Sequence, residues 1–280
     1  MGRYDEILTR FMAFAAREPR VLMGVQVGSG ARKDRPADEF SDLDLLVFVT
    51  ELEPFLSGEW LSELGDVKVR FTEPTFCGGK EMRILYDGAL DVDFPLLTPT
   101  MLDELLRDFT SLFARGAKVL FDRMNGTARI MEAAQTPQKP YEIPSEAEFD
   151  NLTQDFWYHT VWTAKKILRG ETWAAKQCLD GYLKSLLLRL LEMHAHALHG
   201  EPYDTWHDGR FLDCWAEPWV TEALKTAYAP YDLQKMPKAL MQTANIFRRA
   251  AKETAEKYGY PYPEAADVYT TQWVQKAFEN

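Results

Sequence analysis

Two aspartates, Asp42 and Asp44, stand at the head of an apolar run that continues through Leu45, Leu46, Val47, Phe48 and Val49. In a strand, residues two apart share a face, so Asp42, Asp44, Leu46 and Phe48 fall on one side and Leu43, Leu45, Val47 and Val49 on the other. Both faces of the strand are then apolar beyond its entrance, which marks a buried strand with two carboxylates at its mouth. Like charges at roughly 6–7 Å, two strand rises, repel unless a cation lies between them. Hard divalent cations prefer oxygen ligands of this kind. Upstream, Gly28-Ser29 follows a second apolar strand, Val21 to Val27. A glycine there lets backbone N–H groups approach an anion. Arg32, Lys33 and Arg35 follow in the same loop. They suit a triphosphate or a solvated loop equally well. Phosphate-cradling turn and metal-holding acids together are the chemistry of nucleotidyl transfer.

A third acid is expected from the next hairpin. Met82 to Tyr86, the Asp87-Gly88 turn and Leu90 to Leu96 form two apolar runs about a strong turn signal. In the second arm Asp91 and Asp93 alternate with Leu90, Val92 and Phe94. A carboxylate flanked by core residues requires a partner. Both aspartates point the same way, and the residues alone leave both open.

Gly-Ser, a spacer and Asp-x-Asp resemble the motif of the nucleotidyltransferase superfamily. With the spacer length and Asp38, Phe40, Asp42 and Asp44, the chain more narrowly resembles the aminoglycoside 6-adenylyltransferases, the streptomycin-modifying group. The likeness continues through Asp155-Phe156-Trp157-Tyr158, Ala164-Lys165, Arg169-Gly170-Glu171, Ala175-Lys176, Leu191-Glu192-Met193-His194, Phe247-Arg248 and Gly259-Tyr260-Pro261-Tyr262-Pro263. It therefore spans nearly the whole chain in order. The chain departs from the family pattern at Gly30, Arg32 and Met193, where the family carries arginine, asparagine and tryptophan.

The resemblance implies ATP as co-substrate and Mg2+ as metal, held by Asp42, Asp44 and Asp93. In the family the third acid follows an Asp-Gly turn within Ile-Asp-Leu, which falls on Asp93 here. Asp93 is then the first choice of general base and Glu192 the second. Gly28, Ser29 and Arg32, with Lys165 and Lys184 from the helical half, are the expected nucleotide contacts; Lys176 is a further candidate lysine. A cationic acceptor wants acids and aromatic faces, which Asp155, Trp157 and Glu192 supply, with Trp162 and Asp180 as further candidates. The implied reaction is adenylyl transfer to a hydroxyl of an aminoglycoside such as streptomycin. The alternatives are another acceptor (a lincosamide, a metabolite or a protein) or a nucleotide-binding regulatory or toxin–antitoxin-type protein.

The remaining elements must position these groups. Tyr4 to Arg17 has helical spacing, Leu52 to Leu64 a weaker one, and Val67 to Phe71 and Ala117 to Phe121 read as strands. Thr98-Pro99-Thr100 opens a helix expected to reach about Arg115. Met124 to Ser145, with three prolines, reads as a linker. A capping box at Ser145 starts a helical half: one helix to Arg169, one from Glu171 to His199, and shorter ones over 220–228, 232–258 and 263–278. The expected fold is α+β. A nucleotidyltransferase-type mixed sheet with flanking helices occupies residues 1–135, followed by a helical bundle domain over 136–280 that binds substrate.

Composition bounds the partners. Across 280 residues the formal net charge is −11, hydrophobic residues are 46% and charged residues 27%. Such a balance supports a large core and argues against unspecific nucleic-acid binding, which needs clustered Lys and Arg. It suits a cationic small molecule. No run of about 18 apolar residues exists, so no membrane span is expected. With no apolar signal core at the N-terminus, the expected location is cytoplasmic, as a monomer or homodimer. Cys77, Cys178 and Cys214 show no ligand spacing and read as ordinary thiols. His196 and His199 share a helix face, but no Cys or spaced acid completes a zinc set.

Overall fold

The computed structural model describes residues 2–32, 34–137 and 140–279; Lys33 lies outside them. The chain divides into two compact units, Met1–Lys139 and Pro140–Asn280.

The first unit is built on a six-stranded sheet. Helix α1 (Asp5–Arg17) is followed by β1 (Val21–Val27), β2 (Leu43–Val49), the single turns α2 (Glu53–Leu56) and α3 (Leu61–Leu64), and β3 (Val67–Pro74). Then come β4 (Lys80–Tyr86), β5 (Leu90–Leu97), α4 (Leu102–Asp108), β6 (Lys118–Asp122) and α5 (Thr127–Ala133). The strand order is β3-β4-β5-β2-β1-β6. Among the described residues only β2 and β5 run parallel; the other pairs are antiparallel, so the sheet is mixed.

Alternation along β2 sorts its residues as the sequence requires. Leu43, Leu45, Val47 and Val49 join Ile7, Phe11 and Phe14 of α1 and Trp60, Leu61 and Phe94 in one cluster. Leu46 and Phe48 join Leu102 and Leu105 of α4 and Ile130 of α5 in the other. Helices on both faces exclude water from the central strands, and the polar mouth of β2 is left at their end. In the β4–β5 hairpin, Gly88 and Ala89 both adopt positive φ (75° and 52°), and Tyr86 pairs with Leu90.

Two expectations change here. The helix after Thr98 ends at Asp108 and gives way to a short turn, Thr110–Leu112, rather than reaching Arg115. The segment read as linker contains α5. The Asp122 carboxylate accepts from the backbone N–H and hydroxyl of Thr127 at 2.8 and 2.7 Å, and Ile130 anchors the helix in the core. A side-chain cap and one buried isoleucine are too little periodicity to read from sequence.

The second unit is helical: α6 (Glu146–Leu168), α7 (Thr172–Gln177), α8 (Leu183–His199), α9 (Leu212–Trp215), α10 (Pro218–Leu224), α11 (Met236–Tyr258) and α12 (Glu264–Phe278). The helix expected over Glu171–His199 is broken by a π-turn at Cys178–Tyr182, which contains Gly181. Phe156 stacks on Phe247 with ring centroids 3.6 Å apart, pinning α6 to α11. No helix among the described residues is long and apolar enough to cross a membrane.

Candidate active site

Parallel pairing of β2 and β5 sets Asp44 beside Asp93 in register. Asp42, Asp44 and Asp93 each offer a carboxylate oxygen, and these oxygens lie within 4.8 Å of one another. Among the described residues no other group of three or more acids, histidines or cysteines converges in this way. Asp93 is buried, and Asp42 and Asp44 are half-buried. Burial pushes the Asp93 carboxyl up to about 7; the Arg83 guanidinium opposes this, while Glu81 and Asp44 add to it. Asp91, the second candidate, is exposed and stays outside the cluster.

The glycine turn closes on the same point. Gly28 has φ +63°, and a Cβ placed on it would run into the Asp44 carboxylate. The Gly28 carbonyl accepts the N–H groups of Ala31 and Arg32, both at 3.1 Å, which curls the turn. Ser29 is buried, and its hydroxyl donates to the Asp42 carbonyl at 3.3 Å, tying the turn to the head of β2. Arg32 donates through Nε to the Arg35 carbonyl at 2.5 Å, so its guanidinium is bonded within its own loop.

Four residues at this site escaped the sequence reading. The Tyr4 hydroxyl donates to the Ser41 carbonyl (2.8 Å) and accepts the Asp91 N–H (3.2 Å), stapling the entrances of β2 and β5. Lys118 on β6 donates to the Gly30 carbonyl at 2.5 Å, placing an ammonium at the glycine turn. Arg83 sits directly opposite Asp93 on β4, and Glu81 is buried beside it. The Arg83 pairing was accessible from the hairpin once its loop is three residues long, since 86↔90 implies 83↔93. Tyr4 and Lys118 left no local signal.

In the helical unit the expected contacts divide. Trp157 is fully buried against Phe156 and Phe247, with the Arg248 guanidinium 5.5 Å over its ring; it is core rather than a substrate-facing surface. Lys184 is half-buried and lines a pocket with Leu191 and Tyr228. It donates to Ala227 O at 2.9 Å, Thr243 Oγ1 at 2.7 Å and Leu179 O at 3.4 Å, which occupies all three N–H groups. Burial pulls its ammonium down to about 8. The sequence placed it among the nucleotide contacts; here its N–H groups are bonded within the helical unit. Lys176 pairs with Asp180 and donates to the Ala229 carbonyl. Lys165 is exposed, 5.6 Å over the Trp273 ring.

Asp155 bridges His159 Nδ1 (2.6 Å) and the Tyr182 hydroxyl (2.8 Å). Both partners line a pocket of about 440 Å³ with Trp162 and Trp173. Glu192 is half-buried, its carboxyl raised to about 7 by burial and by Asp208 against the opposing pull of Arg189. The histidines of α8 find separate partners: His194 meets Glu253 at 2.6 Å, His199 meets Glu217 at 2.9 Å, and His196 stacks on Tyr141.

Comparison with known proteins gives the chain its relatives. The profile of a family described as streptomycin adenylyltransferase matches residues 1–277. An aminoglycoside 6-adenylyltransferase of Bacillus subtilis (strain 168) is 24% identical over 278 residues, covering 94% of each chain. One from Campylobacter jejuni is 25% identical over 269 residues, covering 93% of this chain and 89% of its own. A solved structure, an aminoglycoside 6-adenyltransferase from Bacillus subtilis, aligns over 99% of both chains at 21% identity with a TM-score of 0.47.

Proposed function

This chain belongs to the streptomycin adenylyltransferase family, a family of nucleotidyltransferase enzymes, and from that premise we propose that it transfers AMP from ATP to a hydroxyl of an aminoglycoside such as streptomycin, with Mg2+. The observation that carries the reading is the convergence of Asp42, Asp44 and Asp93 beside a glycine whose missing side chain leaves room at the Asp44 carboxylate.

The donor set suits the metal. Three carboxylates so close repel one another, and hard oxygen is the ligand a magnesium ion prefers. In this reading Asp42, Asp44 and Asp93 hold the cation, which when bound neutralises phosphate charge and acts as a Lewis acid. The turn at Gly28–Gly30 presents backbone N–H groups to the phosphates, and Lys118 adds a positive charge at its edge. The acceptor oxygen attacks the α-phosphorus, the bond from that phosphorus to the bridging oxygen breaks, and pyrophosphate leaves. The proton of the acceptor hydroxyl passes to Asp93, the first choice of base. In the helical unit, the aromatic pocket backed by Asp155 suits an organic cation.

The test is incubation with ATP, Mg2+ and a panel of aminoglycosides and lincosamides, with mass spectrometry for an added AMP. A product on an aminoglycoside is expected. Transfer only to a lincosamide, or to no compound of the panel, overturns the acceptor and leaves the transferase reading standing.

A further inference from the structure

Arg83 is a cation built into the site. It projects from β4 directly opposite Asp93 across the antiparallel ladder. Its guanidinium lies 2.7 Å from Glu73 Oε1, 3.0 Å from Glu81 Oε1 and 3.6 Å from Asp93 Oδ2. The other oxygen of Glu81 accepts the Thr75 hydroxyl at 2.9 Å, which fixes that carboxylate. Two glutamates therefore flank the guanidinium at ion-pair distance, although Nε makes no aligned hydrogen bond. Asp93 shares its charge at a distance too long for a direct hydrogen bond. An arginine never loses its proton in a protein, so this charge is permanent.

We infer that Arg83 is the standing counter-cation of Asp93 and sets how tightly the three-aspartate site takes a divalent ion. The inference rests on the metal-site reading above. With no ion bound, a permanent positive charge offsets the crowding of Asp42, Asp44 and Asp93. When an ion enters, the same charge repels it and weakens binding. Glu73 and Glu81 keep the guanidinium from closing onto Asp93 and capturing the carboxylate outright. The arrangement favours a site that releases its metal readily over one that binds it permanently.

The experiment is Mn2+ titration of the metal-free full-length protein, read by electron paramagnetic resonance of the free ion. It compares the parent, Arg83→Gln, Arg83→Lys and Asp44→Asn. Removing the charge in Arg83→Gln is expected to tighten Mn2+ binding about three- to tenfold. Arg83→Lys keeps the charge and is expected within about twofold of the parent. Unchanged or weaker binding in Arg83→Gln overturns the inference. Were Arg83→Gln to misfold, Glu81→Gln replaces it. There the guanidinium loses one restraint and moves onto Asp93, so weaker binding is expected, and unchanged or tighter binding overturns the inference. Asp44→Asn separates the two failures: if it leaves Mn2+ affinity unaltered, the metal-site reading itself is wrong.

Discussion

Gly28 shows how little space the site leaves at the residue level. Its φ of +63° lies where a side chain is strained, and any Cβ would strike the Asp44 carboxylate. Gly28→Ala is expected to lower the transfer rate about a hundredfold, since displacing a reacting group by an ångström costs that much. Global stability should also fall, by about 2 kcal/mol or more from backbone strain and the clash. Steady-state kinetics and a denaturant midpoint check both. Glu192 carries a pH signature of its own. Its carboxyl is raised from 4.5 to about 7, so between those values the folded protein binds the proton more tightly than the unfolded chain. Stability must then decline as pH rises through that window and level off above it. After discounting for solvent screening, the decline attributable to this group is of order 1 kcal/mol. Glu192→Gln should abolish that component, seen as a flatter Tm between pH 4.5 and 7.5. At this scale the Asp42–Asp44 pair was legible because alternation in a strand fixes which residues share a face; alternation left Asp91 and Asp93 equal, and only the family resemblance picked Asp93. The places of Trp157 and Lys184 were not legible. An aromatic ring or a lysine on a helix has the same sequence signature on a surface or in a core, and only the packing of Phe247 against Trp157 and the carbonyls of Leu179 and Ala227 around Lys184 show where each side chain lies.

Strands were easier to read than helix ends. Continuous apolar runs gave β1 and β2, and the Asp87-Gly88 turn gave the β4–β5 hairpin. The parallel pairing of β2 with β5, which joins the acids, is a long-range contact that no local pattern specifies. Helix boundaries failed where a side chain or an extra residue sets them, as at α5 and the π-turn before α8. For α5 the cap is testable. Asp122 holds the N–H groups of Met124 and Thr127 at 2.8 Å each, besides the Thr127 hydroxyl. Asp122→Ala is expected to cost about 1–2 kcal/mol, the usual price of a lost helix cap. Urea denaturation measures it, and no change would show that Ile130 alone holds the helix. Some of the motifs shared with the family in the helical unit hold its core. Arg248 and Tyr262 both bond the buried Asp267, at 2.6 and 2.7 Å, and Phe156 and Phe247 stack. At these residues the resemblance reports the packing of the bundle.

For the whole molecule, each unit carries its own core, and the chemistry read here gathers in the first. There β-sheet register, a glycine turn and the loop-to-strand staple by Tyr4 converge on three carboxylates. The acidic balance of the chain, −11 overall, suits a cationic acceptor without identifying it. What decides the account is whether those carboxylates hold metal at a nucleotide. The direct measurement is a crystal structure with Mn2+ and a non-hydrolysable ATP analogue, with the metal located by anomalous scattering. The account predicts a manganese peak bonded to Asp42, Asp44 and Asp93, with phosphate oxygens against the backbone of Gly28–Gly30. Metal and nucleotide bound away from these aspartates would contradict it.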